Sequence, residues 1–268
     1  MIPKRYIQEW SKKAPWKAPE LIEQDLIISR ALIALFSDEF LSEHLAFRGG
    51  TALHKLYLEP APRYSEDIDL VQIKEGPIKP ILKRIGEVID FFEEKRDVKQ
   101  NVNNNTIRYK FNSEFNPETK LKLKIEINCR EHFHVLPWES FPFEMKNGWF
   151  SGATSITTYE VHELLGTKIR ALYQRRKGRD LFDLFYASQK ISFDYEKVLD
   201  VYQTYMEFVV DSPPTYKQFL LNINEKENNP EFTGDTEGLL RDGIEYDERK
   251  AFEWLRNEVL ERLNRKNN

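Results

Sequence analysis

The sequence predicts an α/β (α+β) chain: a β-sheet lobe with flanking helices over residues 1–150, then a helical lobe over residues 151–268. Three patterns lead there. Apolar and polar residues alternate in Asp67–Leu70, Ile107–Phe111 and Leu121–Asn128, the period of a strand with one buried face. Helical spacing of apolar residues fills 20–36 and 78–92 between and before them. From Thr157 onward the apolar residues recur mainly at helical spacing.

In chain order, residues 1–19 are polar and aromatic and carry Pro3, Pro15 and Pro19, which predicts a short helix around Tyr6–Lys12 and then a loop. Ile28, Ala31, Leu32 and Leu35 mark a core helix over 20–36. Gly49-Gly50-Thr51 opens a helix containing Ala52, Leu53 and Leu56, and Pro60 and Pro62 confine the link from that helix to the next strand to a loop. Gly76-Pro77 ends the strand at Asp67–Leu70, and Ile78, Ile81, Leu82, Ile85, Val88, Ile89 and Phe92 line one side of the next helix. Asn103-Asn104-Asn105 signals a turn before two strands. Residues 129–155, with His132, His134, Trp138, Trp149 and several Pro and Phe, read as a loop-rich connection between lobes. No further His or Cys sits at ligand spacing, so the two histidines read as packing or surface residues. Thr157 and Glu160 suggest a capping box for a helix holding Val161, Leu164, Leu165, Ile169 and Leu172. Gly178 suits its end, and Asp180-Leu181-Phe182-Asp183 opens another helix. Residues 192–264 look mainly helical, with breaks at Ser212-Pro213-Pro214 and through Asn228–Gly238. Phe252, Leu255, Val259 and Leu263 mark a closing helix.

Composition narrows the function. A formal net charge of −4 provides no global basic footprint, so nucleic-acid binding would need a local patch. The single Cys129 rules out an intramolecular disulfide and a cysteine metal cluster. No apolar run is long enough to span a bilayer and no basic-then-apolar leader is visible. The expectation is a cytoplasmic chain with no membrane partner.

Chemistry concentrates between Phe47 and Leu70. Gly49 and Gly50 let the backbone approach a ligand closely, and Thr51 comes next, where unpaired amides and a positive helix end would welcome a phosphate. The same three residues also make an ordinary tight turn with a threonine cap. On the strand, Asp67 and Asp69 point one way and Ile68 and Leu70 the other. Two neighbouring carboxylates repel unless a cation lies between them, and Mg²⁺ takes such oxygens together with phosphate oxygens. A solvent-facing strand with two exposed acids is the plainer alternative. Glu126 lies on the polar face of a later strand. It completes a triad with the aspartates if the faces align, or pairs with Lys122 or Lys124 if they do not. Lys168, Arg170, Arg175, Arg176, Lys177 and Arg179 crowd beside Asp180 and Asp183. Phosphates need such cations, although a helix C-terminus also favours them. Tyr64, Tyr109 and Trp149 are candidates to stack on a base.

As a set, these residues resemble the AbiEii/AbiGii toxin family, nucleotidyltransferases of the DNA polymerase beta-like superfamily. The resemblance rests on Phe47-Arg48-Gly49-Gly50-Thr51-Ala52-Leu53, on Arg63-Tyr64-Ser65-Glu66-Asp67-Ile68-Asp69-Leu70 and on Ile125-Glu126-Ile127. It extends through Lys168-Ile169-Arg170-Ala171-Leu172 to Lys177-Gly178-Arg179-Asp180-Leu181-Phe182-Asp183-Leu184. It implies a nucleotidyltransferase-type mixed β-sheet lobe and a helical C-terminal lobe. By resemblance, Gly49, Gly50 and Thr51 hold the triphosphate, Asp67 and Asp69 bind magnesium, and Lys168 faces the nucleotide; Ser65 and Arg179 are further candidate nucleotide-binding residues, and Glu126 is the candidate third metal-binding acid. Lys168 and Asp180 are implied to be needed for activity. Also implied are an NTP substrate, an RNA acceptor such as a transfer RNA 3′ end, and a cognate antitoxin. The chain departs from many superfamily members in having Gly50-Thr51 for Gly-Ser and a longer gap before the first aspartate. A metal-dependent nuclease and a catalytically silent binding protein of the same fold are the competing expectations.

Overall fold

The computed structural model describes residues 2–92, 95–210 and 213–266. The chain packs as two compact units, Met1–Tyr159 and Glu160–Asn268, so the strand 151–159 lies in the first.

The first unit opens with α1 (Lys4–Trp10) and α2 (Pro19–Phe36). Proline at the first position of α2 supplies a preset φ where no amide is needed. Leu26, Ile28, Ala31, Leu32 and Leu35 are at most 1% exposed, as their spacing predicts. The helix also buries Asp25, which accepts from the indoles of Trp10 (2.9 Å) and Trp16 (3.3 Å) and from Lys55 Nζ (3.0 Å). That carboxylate therefore ties the N-terminal segment to the helix after the paired glycines.

After α3 (Glu39–His44) come β1 (Leu45–Arg48) and α4 (Gly49–Ala52), which runs on as a π-helical turn over Leu53–Tyr57. Next in the chain are β2 (Asp67–Gln72), α5 (Ile78–Val88), β3 (Asp97–Lys99), β4 (Asn104–Asn112), β5 (Lys120–Asn128), β6 (Trp138–Lys146) and β7 (Ser151–Tyr159). Among the described residues these strands form one seven-stranded sheet, ordered β3-β4-β5-β2-β1-β7-β6. It is mixed: β2 runs antiparallel to β1 but parallel to β5, and β1 runs parallel to β7. Alternation holds where it was expected. Ile68, Leu123, Ile125 and Ile127 are fully buried, while Asp67, Asp69, Lys124 and Glu126 are half-buried on the other face.

Several expectations need correction. Residues 138–159 are not loop but the hairpin β6–β7, with Phe141 opposite Ile156. Phe141, Phe143 and Met145 do alternate, and Pro142 is tolerated because β6 is an edge strand. Arg30 holds the hairpin's turn, its guanidinium 4.4 Å from the Trp149 ring and 4.9 Å from Phe150. Helix α5 stops at Val88, and Phe92 instead stacks on Tyr109 at 4.9 Å. Asn104 and Asn105 belong to β4, opposite Asn128 and Ile127, because backbone pairing outweighs the turn preference of their side chains. The first helix is Lys4–Trp10 rather than Tyr6–Lys12.

The second unit is helical: α6 (Val161–Gln174), α7 (Gly178–Lys190), α8 (Tyr195–Val209), α9 (Tyr216–Glu227), the short α10 (Pro230–Thr233), α11 (Glu248–Trp254) and α12 (Glu261–Lys266). The last two are joined by a π-helical turn, Leu255–Leu260, that buries Leu255 and Val259 as their spacing predicts. The cap of α6 is Glu160, whose carboxylate accepts from His162 N at 2.8 Å, because Thr157 is still in β7. Gly178 starts α7 rather than ending α6, and a Cβ there would collide with the backbone carbonyl of Phe232. Of the two expected breaks, Ser212 lies outside the described residues, and α10 interrupts 228–238. Among the described residues no helix is long and apolar enough to cross a membrane.

Phe47 is fully buried in β1, between the strands that carry the acids and the C-terminal hairpin. Truncating it should cost about 3–5 kcal/mol of stability. Urea unfolding of Phe47→Ala measures this.

Candidate active site

The site is set by sheet register. Strand β2 has a partner on each side, so Asp69 stands opposite Arg48 in β1 and opposite Glu126 in β5, while Asp67 stands opposite Lys124. The acids of two strands therefore share one half-buried face. The paired glycines join it from above. Gly49 sits at φ 78°, a left-handed conformation costly for any residue with a Cβ. A Cβ at that position would run into the Asp69 carboxylate. The chain thus brings a bare backbone against the second aspartate at the start of a helix, where the first amides have no partner within the helix.

Thr51 faces inward. It is 1% exposed, and its hydroxyl donates to Asp67 O at 2.5 Å while lying 2.7 Å from Ser65 Oγ. This pair ties the glycine turn to the entrance of β2. The Thr51 hydroxyl is thus engaged within the fold.

Lys124 reaches into the acids. Its Nζ is 2.9 Å from Asp67 Oδ2 and 3.2 Å from Glu126 Oε1. Burial works to lower its pKa, but the hydrogen bond to Asp67 and the two carboxylate charges outweigh burial and hold the ammonium above the ordinary lysine value. Of the alternatives left open by sequence, Glu126 takes both: it faces Asp69 and it pairs with Lys124. The other oxygen of Asp67, Oδ1, is buried with no hydrogen-bond partner. Arg48 Nη1 meets Glu131 Oε2 at 2.6 Å beside the same turn. Neither Arg48 nor Glu131 was singled out by sequence, because only register and folding of the 129–137 segment bring them there.

These residues suit a hard divalent ion such as magnesium. The donors are carboxylate oxygens, one of them is buried and bare, and the bare glycine turn lies close against the Asp69 carboxylate. Asp67 and Asp69 would hold the ion, with Glu126 beside them. Among the described residues no three His, Cys, Asp or Glu groups gather closely enough to enclose an ion by themselves. His132 and His134 bind backbone carbonyls, of Gln72 at 2.9 Å and Leu136 at 2.7 Å. Tyr64 and Tyr109 are buried, and Trp149 packs on Phe91 and Arg30, so the proposed base-stacking rings are core or local packing.

The second unit has its own charge cluster. Lys168 Nζ lies 3.1 Å from Asp180 Oδ1 and 2.8 Å from Asp183 Oδ2, and both aspartates are fully buried. Arg175 grips Asp180 with Nε at 2.6 Å and Nη2 at 2.7 Å. Burial would raise the Asp180 pKa, but Lys168 and Arg175 outweigh it and hold the carboxyl below the ordinary aspartate range. Asp180 is therefore an anchor for cations rather than a proton acceptor near neutral pH. Arg179 turns toward Asp235, its Nε 3.5 Å and its backbone amide 3.2 Å from Oδ2.

Residues 30–258 match the family model described as nucleotidyl transferase AbiEii toxin, type IV TA system. No curated protein matches the sequence. Among solved structures, the fold is similar to MenT4, a nucleotidyltransferase toxin from Mycobacterium tuberculosis H37Rv, with TM-score 0.61 and 17% identity over 99% of each chain. It is also similar to JHP933 from Helicobacter pylori, with TM-score 0.59 and 16% identity over 93% of this chain and 94% of that one. At such identities the likeness is one of fold.

Two substitutions test this geometry. Gly49→Ala should lose at least about 1–2 kcal/mol from its left-handed backbone alone, read as a lowered midpoint in thermal or urea unfolding. Asp180→Ala removes one of the two aspartates that hold buried Lys168, which keeps Asp183, and frees the half-exposed Arg175, so it should destabilise the fold at neutral pH by less than the about 3–5 kcal/mol of a fully unpaired buried charge. Because the folded-state pKa of Asp180 lies below the unfolded one, its contribution is present above the ordinary aspartate range and is lost as pH falls through the folded value. The stability gap between wild type and Asp180→Ala should therefore narrow below about pH 4.

Proposed function

The chain belongs to the AbiEii nucleotidyl transferase toxin family, and from that premise we propose that this nucleotidyltransferase works with magnesium to move a nucleoside monophosphate from an NTP to an acceptor hydroxyl on RNA. The proposed acceptor is a transfer RNA 3′ end, and the proposed protein partner is a cognate antitoxin. The observation that carries the reading is the close approach of Gly49 to the Asp69 carboxylate, which joins the glycine turn to a pair of strand acids.

In this mechanism the amides around Gly49, Gly50 and Thr51 receive the triphosphate oxygens, and Ser65 supports the turn through Thr51. Asp67 and Asp69 would hold the ion. When bound, magnesium offsets phosphate charge and polarises the α-phosphate. Glu126 accepts the proton of the acceptor hydroxyl. The hydroxyl oxygen bonds to the α-phosphorus as the bond from that phosphorus to the α–β bridging oxygen breaks, and pyrophosphate leaves with the electron pair. Lys168 and Arg179 are the second unit's candidate cations for phosphate, and Asp180 orients Lys168.

The test is incubation with Mg²⁺, each labelled NTP and total RNA. Wild type should label RNA, and Asp69→Asn should label it about 10²–10³-fold more slowly, the usual loss when one electrostatic element of a transition state is removed. Equal absence of labelling in both would overturn the transferase reading for those substrates. RNA breakdown without added nucleotide would point to a nuclease instead. Nucleotide binding that is the same in Mg²⁺ and in EDTA would point to a silent binding protein.

A further inference from the structure

We infer that the acid face takes one divalent ion and that the Lys124 ammonium stands where a second would otherwise bind; this rests on the magnesium-dependent reading above. Two cross-strand pairs make up the face: Asp67 opposite Lys124, and Asp69 opposite Glu126. Lys124 Nζ bridges Asp67 Oδ2 and Glu126 Oε1 at 2.9 and 3.2 Å. Magnesium binds oxygen at about 2.0–2.1 Å, so an ion bridging those two oxygens would need the space that the ammonium fills.

The oxygens of Asp67 are thus divided. Oδ2 is committed to Lys124, whereas Oδ1 is buried with no partner. A buried carboxylate oxygen left bare is costly, and a cation on that side removes the cost. Charge points the same way. A second ion would have to compete with a tethered cation that is already hydrogen-bonded. Lys124 therefore stands between Asp67 and Glu126 as a fixed positive charge.

Lys122 provides the reference. It lies two residues earlier on β5, on the same polar face, and is exposed. The experiment counts Mn²⁺ bound per full-length chain by electron paramagnetic resonance, without nucleotide, in wild type and in Lys124→Met, Lys122→Met and Asp69→Asn. Circular dichroism confirms folding, and Lys124→Gln replaces Lys124→Met if the latter does not fold. Expected are one ion for wild type and Lys122→Met, two for Lys124→Met, and at least tenfold weaker binding for Asp69→Asn. Two ions in wild type, or still one in the Lys124 variant, would overturn the inference while leaving magnesium dependence standing. No ion in wild type would instead overturn the metal reading, and this inference with it.

Discussion

The site depends on β2 having a strand on each side. Pairing with β1 puts Asp69 opposite Arg48 and under the Gly49 turn, and pairing with β5 puts Glu126 beside Asp69 and Lys124 beside Asp67. Strand side chains alternate with a period of two, so a slip of one residue in either pairing would send the acids to the buried face. Burial of Ile68 and Leu70 in β2, and of Leu123, Ile125 and Ile127 in β5, forbids that slip. The same apolar residues that hold the sheet together therefore also aim its carboxylates.

Both units handle the repulsion of neighbouring acids in one way. Lys124 lies between Asp67 and Glu126, and Lys168 lies between Asp180 and Asp183. The surroundings differ. Asp180 and Asp183 are fully buried, which makes their cluster costly to break and fixes α6 to α7. Asp67, Glu126 and Lys124 are only partly buried, so water can screen them and an ion can reach them. The first arrangement suits rigidity and the second suits ligand exchange. The Thr51–Ser65 hydroxyl pair ties the glycine turn to the entrance of β2, and the buried Asp25 carboxylate holds Lys55 in the helical turn that follows.

Much of this was legible in the amino-acid order. Period-two alternation located β2, β4 and β5, and helical spacing located α2, α5, α6 and the closing helix, because each buries a single face. The hairpin β6–β7 was missed although Phe141, Phe143 and Met145 alternate. Its prolines and histidines resemble loop composition, and an edge strand tolerates them. Thr157 looked like a helix cap for a similar reason: a threonine shortly before an acid serves a strand end and a helix start alike.

By itself the sequence determined the residue types and their faces: two aspartates on one side of a strand, a glutamate on one side of another, and paired glycines where the backbone can turn without a Cβ. Those are local facts, fixed by side-chain period and backbone sterics. Only the tertiary structure decided which faces meet, that Thr51 turns inward, that Lys124 enters among the acids, and that Arg179 goes to Asp235. Each of these depends on contacts between residues distant in the chain, and no local pattern encodes the register or packing that brings them together.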